Sequence, residues 1–211
     1  MEKTVFIFIR HAEAEKNLKE ITGGKGESLT NKGRKQAREL AERIRQMNLQ
    51  QPVLVISSNM IQVQETAMEI SEMLSLQYIV TKKLNPVGMG DVDGKSKAEL
   101  KETRPELSEL LDKWHNREIE AIDLEIPGRE HPRQFWNRIM EYLKSICTGG
   151  TKIVVCTRSI MVLIYNYIHG NSPERGGGYM HKYIPNCEML LFCMDANGIL
   201  GEVIMNGDGN R

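Results

Sequence analysis

The chain has 211 residues, equal numbers of acidic and basic side chains, a pI near 7.0 and a mean hydropathy of −0.40. That length supports one sizeable core, or at most two small domains. Balanced charge with no basic stripe argues against nucleic acid as a partner, and no apolar run reaches the ~18 residues of a membrane span.

Thr4 to Ile9 is an unbroken β-branched and aromatic run, read as a strand buried on both faces of a parallel sheet. It ends in Arg10-His11, a guanidinium and an imidazole where ligands bind in open α/β sheets. A glycine-rich loop, Gly23 to Gly26, follows as a plausible rim. Thr30 is the natural N-cap of a helix running to about Asn48. Pro52 to Ile56 is a second strand, and Ser57 and Ser58 are expected to cap the next helix, Ile61 to Leu74. Its core stripe is read as Ile61, Ala67, Ile70 and Leu74, with Met60, Met68 and Met73 as packing. Tyr78 to Thr81 is a short strand, and Leu84 to Gly94 a loop without regular structure. Residues Ser96 to His115 are helical with a restart at Pro105, and Leu107, Leu110, Leu111 and Trp114 form the apolar face. Phe135 to Ile146 is amphipathic. Lys152 to Cys156 is a fourth strand, followed by Thr157-Arg158, an apolar helix to Ile168, and a flexible loop over Arg175 to Gly178. Two last strands, Met189 to Met194 and Ile199 to Met205, flank Asn197-Gly198 as a hairpin. The expected fold is α/β, a mainly parallel three-layer α/β/α sandwich closed by a β-hairpin at one edge. It is read as a single domain, 1–211, in which 95–130 forms a helical insertion capping the site end.

Cys147, Cys156, Cys187 and Cys193 form no Cys-x-x-Cys pair and read as free, buried thiols in a reducing compartment. Neither a metal nor a cofactor is expected. The first strand begins too early to leave room for a signal peptide, so the expected location is cytoplasmic.

Several stretches together resemble the histidine phosphatase superfamily, the phosphoglycerate-mutase-like fold. Phe8-Ile9-Arg10-His11-Ala12-Glu13 is similar to its strand and Arg-His-Gly-Glu motif. Leu29-Thr30-Asn31-Lys32-Gly33 through Gln36-Ala37 matches its Leu-Thr-x-x-Gly-x-x-Gln-Ala. Ser57-Ser58-Asn59-Met60 with Glu65-Thr66-Ala67, and later Pro185-Asn186-Cys187, resemble two further segments. The resemblance implies that His11 attacks phosphorus, that Arg10, a second arginine and a second histidine hold the phosphoryl oxygens, and that an acid protonates the leaving group. It also places Asn17 near the phosphate.

The same resemblance puts Gln62 where the second arginine belongs, Pro86 where the acid belongs and Thr157 where the second histidine belongs. The reading is therefore a histidine-phosphatase-fold pseudoenzyme with a decayed site. It would bind phosphate, sulfate or a small phosphorylated molecule through Arg10, Asn17, Gln62, Thr157 and Arg158, with a protein partner also conceivable. The alternative is an atypical phosphomonoesterase working through a phosphohistidine at His11, with Arg158 supplying charge and Asp91, Asp93, Glu130 or His181 rescuing proton transfer. A phosphoglycerate mutase ranks third.

Overall fold

The computed structural model describes residues 3–173, 178–195, 197–198 and 200–204, the last five by backbone alone. Four strands lie parallel: β1 (Thr4–Arg10), β2 (Val53–Ser57), β3 (Gln77–Val80) and β4 (Thr151–Cys156). β5 (Met189–Met194) runs antiparallel to β1, and β6 (Leu200–Ile204) antiparallel to β5. The order is β3-β2-β4-β1-β5-β6, so β1 and β4 occupy the middle. The closing hairpin is therefore present, and Met205 and the tip of the expected Arg175 loop fall outside the described residues.

Alternation along each strand builds two cores. Phe6 and Phe8 of β1 face one way, with Val154, Cys156 and Phe192. On that face lie α6 (Pro132–Ser145), through Phe135, Ile139 and Leu143, and α7 (Arg158–Ile168), through Ile160 to Ile164. Ile7 and Ile9 face the other way, with Val55, Ile153 and Val155, against α2 (Asn31–Arg45) and α3 (Ile61–Leu74). The middle strands are apolar on both faces because helices cover both.

The one-turn helix α1 (Glu15–Leu18) follows β1, and α4 (Lys97–Thr103) and α5 (Pro105–His115) come from the polar middle of the chain. Ser96 caps α4 by accepting from Glu99 N–H at 3.1 Å, and Pro105 opens α5. Leu107 and Leu111 are buried, with Leu110 and Trp114 packed beside them.

Several expectations need correction. Ser57 and Ser58 do not cap α3; Met60 is its N-cap, with no side-chain bond. The Ser57 hydroxyl instead bonds Ser58 O at 2.9 Å and Tyr78 OH at 2.8 Å. The inward stripe of α3 centres on Val63, Ala67 and Ile70, so Ile61 (43 % exposed) and Met68 (44 % exposed) turn to solvent. The loop from Leu84 to Gly94 contains a 3-10 turn at Gly90–Val92, preceded by another at Lys82–Leu84 that Thr81 caps by accepting from Lys83 N–H at 3.1 Å. All four cysteines are free, but only Cys156 is buried.

The Leu29-to-Ala37 motif now has a physical meaning. Thr30 Oγ1 accepts from Gly33 N–H at 2.9 Å, and its own N–H donates to Glu13 O at 3.0 Å. Gln36 Oε1 accepts from Glu13 N–H at 3.0 Å. A Cβ on Gly33 would stand 2.0 Å from Glu13 O, so only glycine lets α2 approach the segment just past His11. Gly33→Ala is expected to lower the urea-unfolding free energy by about 1–3 kcal/mol, the cost of overpacking. An unchanged urea midpoint would show that this approach is loose.

Candidate active site

The carboxyl ends of β1, β2 and β4 open into a cleft of about 1000 Å³. Strand register sets its base: Arg10 of β1 lies opposite Cys156 of β4, so His11 and Thr157 leave the sheet side by side. Arg10 and Thr157 thus stand at the ends of neighbouring strands, as the apolar runs before them imply. The helices after β2 and β4 both begin at this edge, and neither Met60 nor Thr157 caps its helix with a side-chain bond. Their first N–H groups add positive potential there.

The turn around His11 is held from every side. His11 N–H donates to Cys156 O at 3.0 Å, and Asn186 Nδ2 donates to His11 O at 2.7 Å. Ala12 N–H donates to Thr66 Oγ1 at 3.1 Å, and Cys187 N–H to Arg10 O at 3.0 Å. The Glu65-Thr66-Ala67 and Pro185-Asn186-Cys187 segments are therefore clamps on one turn. His11 is 3 % exposed. Its Nδ1 lies 2.8 Å from Ala12 O, an atom that only accepts, so Nδ1 carries the proton and Nε2 keeps its lone pair. Burial, reinforced by the Arg10 charge, pushes the imidazole pKa down to about 3. His11 is therefore neutral at physiological pH, with a lone pair on Nε2.

Arg10 is also buried, and its Nη1 donates to Ile184 O. Its Nε has no partner. Burial, followed by the like charge of Arg158, lowers its pKa to about 10, so it stays cationic. Arg158 opens α7 and is exposed within the cleft, where the surrounding walls depress its pKa by desolvation. Thr157 Oγ1 shares a 3.1 Å hydrogen bond with Ser159 Oγ. Asn17 Oδ1 accepts from Ala14 N–H at 2.9 Å and braces α1 at the rim. Gln62 is 1 % exposed and its Oε1 has no partner. Gly26 covers it so closely that a Cβ there would sit 2.2 Å from Oε1.

The structure thus gathers Arg10, His11, Asn17, Gln62, Thr157 and Arg158 around one cleft, and Pro86 with them. It does not gather the expected acids. Asp91 pairs with Arg104 at 3.4 Å, and Asp93 Oδ1 accepts from Gly24 N–H at 3.0 Å. Glu130 is held by Arg138 at 2.9 Å, and none of the three lines the cleft. His181 is no surface histidine: it is 7 % exposed, lines the cleft and packs edge-on against Trp114. Lys16 and Tyr183 also line the cleft and were not singled out from sequence. Lys16 Nζ donates to Gly23 O. Its position, one residue before Asn17, is the signal that marks it. No cluster of metal-ligating side chains occurs among the described residues, and no described helix is long and apolar enough to cross a membrane.

The family model for the histidine phosphatase superfamily, branch 1, matches residues 6–203, and the chain belongs to that family. It is similar to a 2,3-bisphosphoglycerate-dependent phosphoglycerate mutase of Bartonella henselae, 31 % identical over 150 residues that make up 67 % of each chain. A putative phosphoserine phosphatase 2 of Hydrogenobacter thermophilus is 27 % identical over 139 residues, which are 65 % of this chain and 64 % of that protein. The chain thus spans about two thirds of the length of these relatives. Among solved structures, Bacillus stearothermophilus YhfR superposes with a TM-score of 0.77 at 19 % identity, over 98 % of both chains. Phosphoglycerate mutase from Bacillus anthracis does so with a TM-score of 0.75 at 18 % identity, over 96 % of this chain and 93 % of that one. At those identities the structural likeness establishes the fold.

Proposed function

We propose that the cleft binds the phosphate group of a small phosphorylated molecule, and that the chain is a pseudoenzyme of its family. The observation that carries this reading is the ring of residues around His11. Gln62, Pro86 and Thr157 line the cleft beside it, and none of them carries a positive charge or an ionisable acid. One missing oxyanion donor costs roughly 100–1000-fold in rate, and a missing general acid about 100–10,000-fold, though the losses do not simply multiply.

Binding asks for less than turnover. Arg10 and Arg158 keep two positive charges at the base of the cleft, and Arg10 Nε–H has no other acceptor. Thr157 and Gln62 add neutral hydrogen-bonding groups. The names of both relatives refer to phosphorylated small molecules, which supports the same ligand class here. The free cysteines fit a reducing compartment such as the cytoplasm.

Calorimetric titration with inorganic phosphate tests the proposal. Wild type is expected to bind in the micromolar to millimolar range, about −8 to −4 kcal/mol, and the Arg10→Ala, Arg158→Ala double variant not at all. Equal binding by both proteins, or none by wild type, contradicts it.

A second reading rests on the His11 tautomer: Nε2 is poised to attack phosphorus. In that reading the N–P bond forms as the ester P–O bond breaks. The leaving oxygen takes its proton from water, and water then hydrolyses the phosphohistidine. With a proline where the resemblance places the acid, the step is slow, which makes the chain a weak phosphomonoesterase.

A further inference from the structure

A phosphate held at Arg10 and Arg158 fills one corner of a cleft of about 1000 Å³. That volume stands at the upper end of small-molecule sites, so the rest of it must receive the body of the ligand. One wall is aromatic. Trp114 and His115, at the end of α5, have ring centroids 5.3 Å apart. His181 packs edge-on against both, at 5.0 Å from Trp114 and 4.8 Å from His115. Tyr183, two residues on, is 71 % exposed and lines the same cleft.

These four rings come from two distant stretches of chain, and the second is pinned on either side of Tyr183. Asn166 Nδ2 donates to Met180 O at 3.0 Å, Arg10 to Ile184 O, and Asn186 to His11 O. Tyr183 therefore holds its place at the mouth without being covered. The rings themselves are uncharged, although Lys97, Asp112, Arg117 and Lys182 line the same cleft. Burial and the neighbouring cations lower the pKa of both His115 and His181 to about 4, so at neutral pH neither imidazole is a cation. His181 Nε2, unpartnered, stands at this wall as well. Arg10 and Arg158 lie at the base of the cleft, and neutral aromatic rings line it beside them. This division suits a ligand with an anion at one end and a flat ring at the other.

We infer that the cleft takes phosphate monoesters whose other end is a planar aromatic ring, packed against the rings that line it, those of Trp114, His115 and Tyr183. The inference rests on the proposed phosphate site and specifies what that site selects. An aliphatic phosphometabolite would satisfy the arginines and leave the aromatic wall wet.

The test compares dissociation constants for inorganic phosphate, glycerol 3-phosphate, phenyl phosphate and adenosine monophosphate, measured calorimetrically on the full chain. Phenyl phosphate and adenosine monophosphate are each expected to bind at least about tenfold more tightly than glycerol 3-phosphate, the worth of one stacked ring. Trp114 stands at the wall, so its fluorescence is expected to be quenched by the aromatic esters alone. Tyr183 is exposed and its removal leaves the core intact, so Tyr183→Ala reads the wall without a folding penalty. In Tyr183→Ala and in Trp114→Leu the preference for aromatic esters is expected to shrink severalfold. Equal affinity of wild type for phenyl phosphate and glycerol 3-phosphate overturns the inference while leaving the phosphate site standing. So does a preference that survives in both variants. Absence of binding by all four probes overturns the phosphate site and the inference together.

Discussion

Thr157→His combined with Pro86→Glu is expected to raise turnover of p-nitrophenyl phosphate by about 100-fold or more. Each substitution returns a group of the type the resemblance assigns to that position: an oxyanion donor worth roughly 100–1000-fold, and a general acid worth about 100–10,000-fold. Groups that act as a unit give less than their product. The geometry favours the attempt. Thr157 leaves the sheet beside His11, its side chain makes no capping bond, and Pro86 already lines the cleft. His11, the proposed nucleophile, needs no repair, because Ala12 O already fixes its tautomer. A double variant that folds, binds phosphate and gains no activity would place the defect elsewhere, with Gln62 the next position to change.

Acidification is expected to cost the protein at least about 2 kcal/mol of stability between pH 7 and pH 4.5. Burial holds His11 near a pKa of 3, and His115 and His181 near 4. Unfolded histidine titrates near 6.5. Below that value the unfolded chain binds protons that the folded chain refuses, so stability falls as pH falls towards the folded values. The slope is at most about 1.4 kcal/mol per pH unit for each histidine. His11 should contribute most, since it is 3 % exposed, and half-buried His115 less because water screens it. Hydrogen bonds from Lys32, Lys95 and Arg104 hold Glu13, Glu99 and Glu106 below the ordinary carboxylate range, so what they contribute is lost only at lower pH. Urea unfolding across this window measures the effect, and His11→Asn should flatten the profile. A flat wild-type profile would mean that His11 is not held neutral.

The fold was legible because its signals are local and repeated. The six residues before Arg10 admit no helix or exposed strand, and Thr30, Ser96 and Pro105 mark helix starts by chemistry that works within one turn. The position of His11 was legible for the same reason: a strand end is a place in the sequence as well as in space. What failed depended on which way a face turns. Ile61 and Gln62 are adjacent, yet the isoleucine is exposed and the glutamine buried, because the first turn of α3 lies under the Gly23–Glu27 loop and not under the core. Periodicity cannot foresee that cover. The candidate acids failed because Asp91, Asp93 and Glu130 are already engaged by Arg104, a backbone N–H and Arg138. The burial of His181 was not legible, because it comes from Trp114 and His115, which approach it from far along the chain.

The most direct measurement is steady-state turnover of p-nitrophenyl phosphate by the wild-type protein and by His11→Ala. Very slow or undetectable hydrolysis by wild type is expected on the proposed reading, in which Gln62, Pro86 and Thr157 stand where the resemblance places the groups that stabilise charge and protonate the leaving oxygen. Turnover near the enzyme median of about 10 s⁻¹, lost in His11→Ala, would contradict the decayed site and make the chain a working phosphatase.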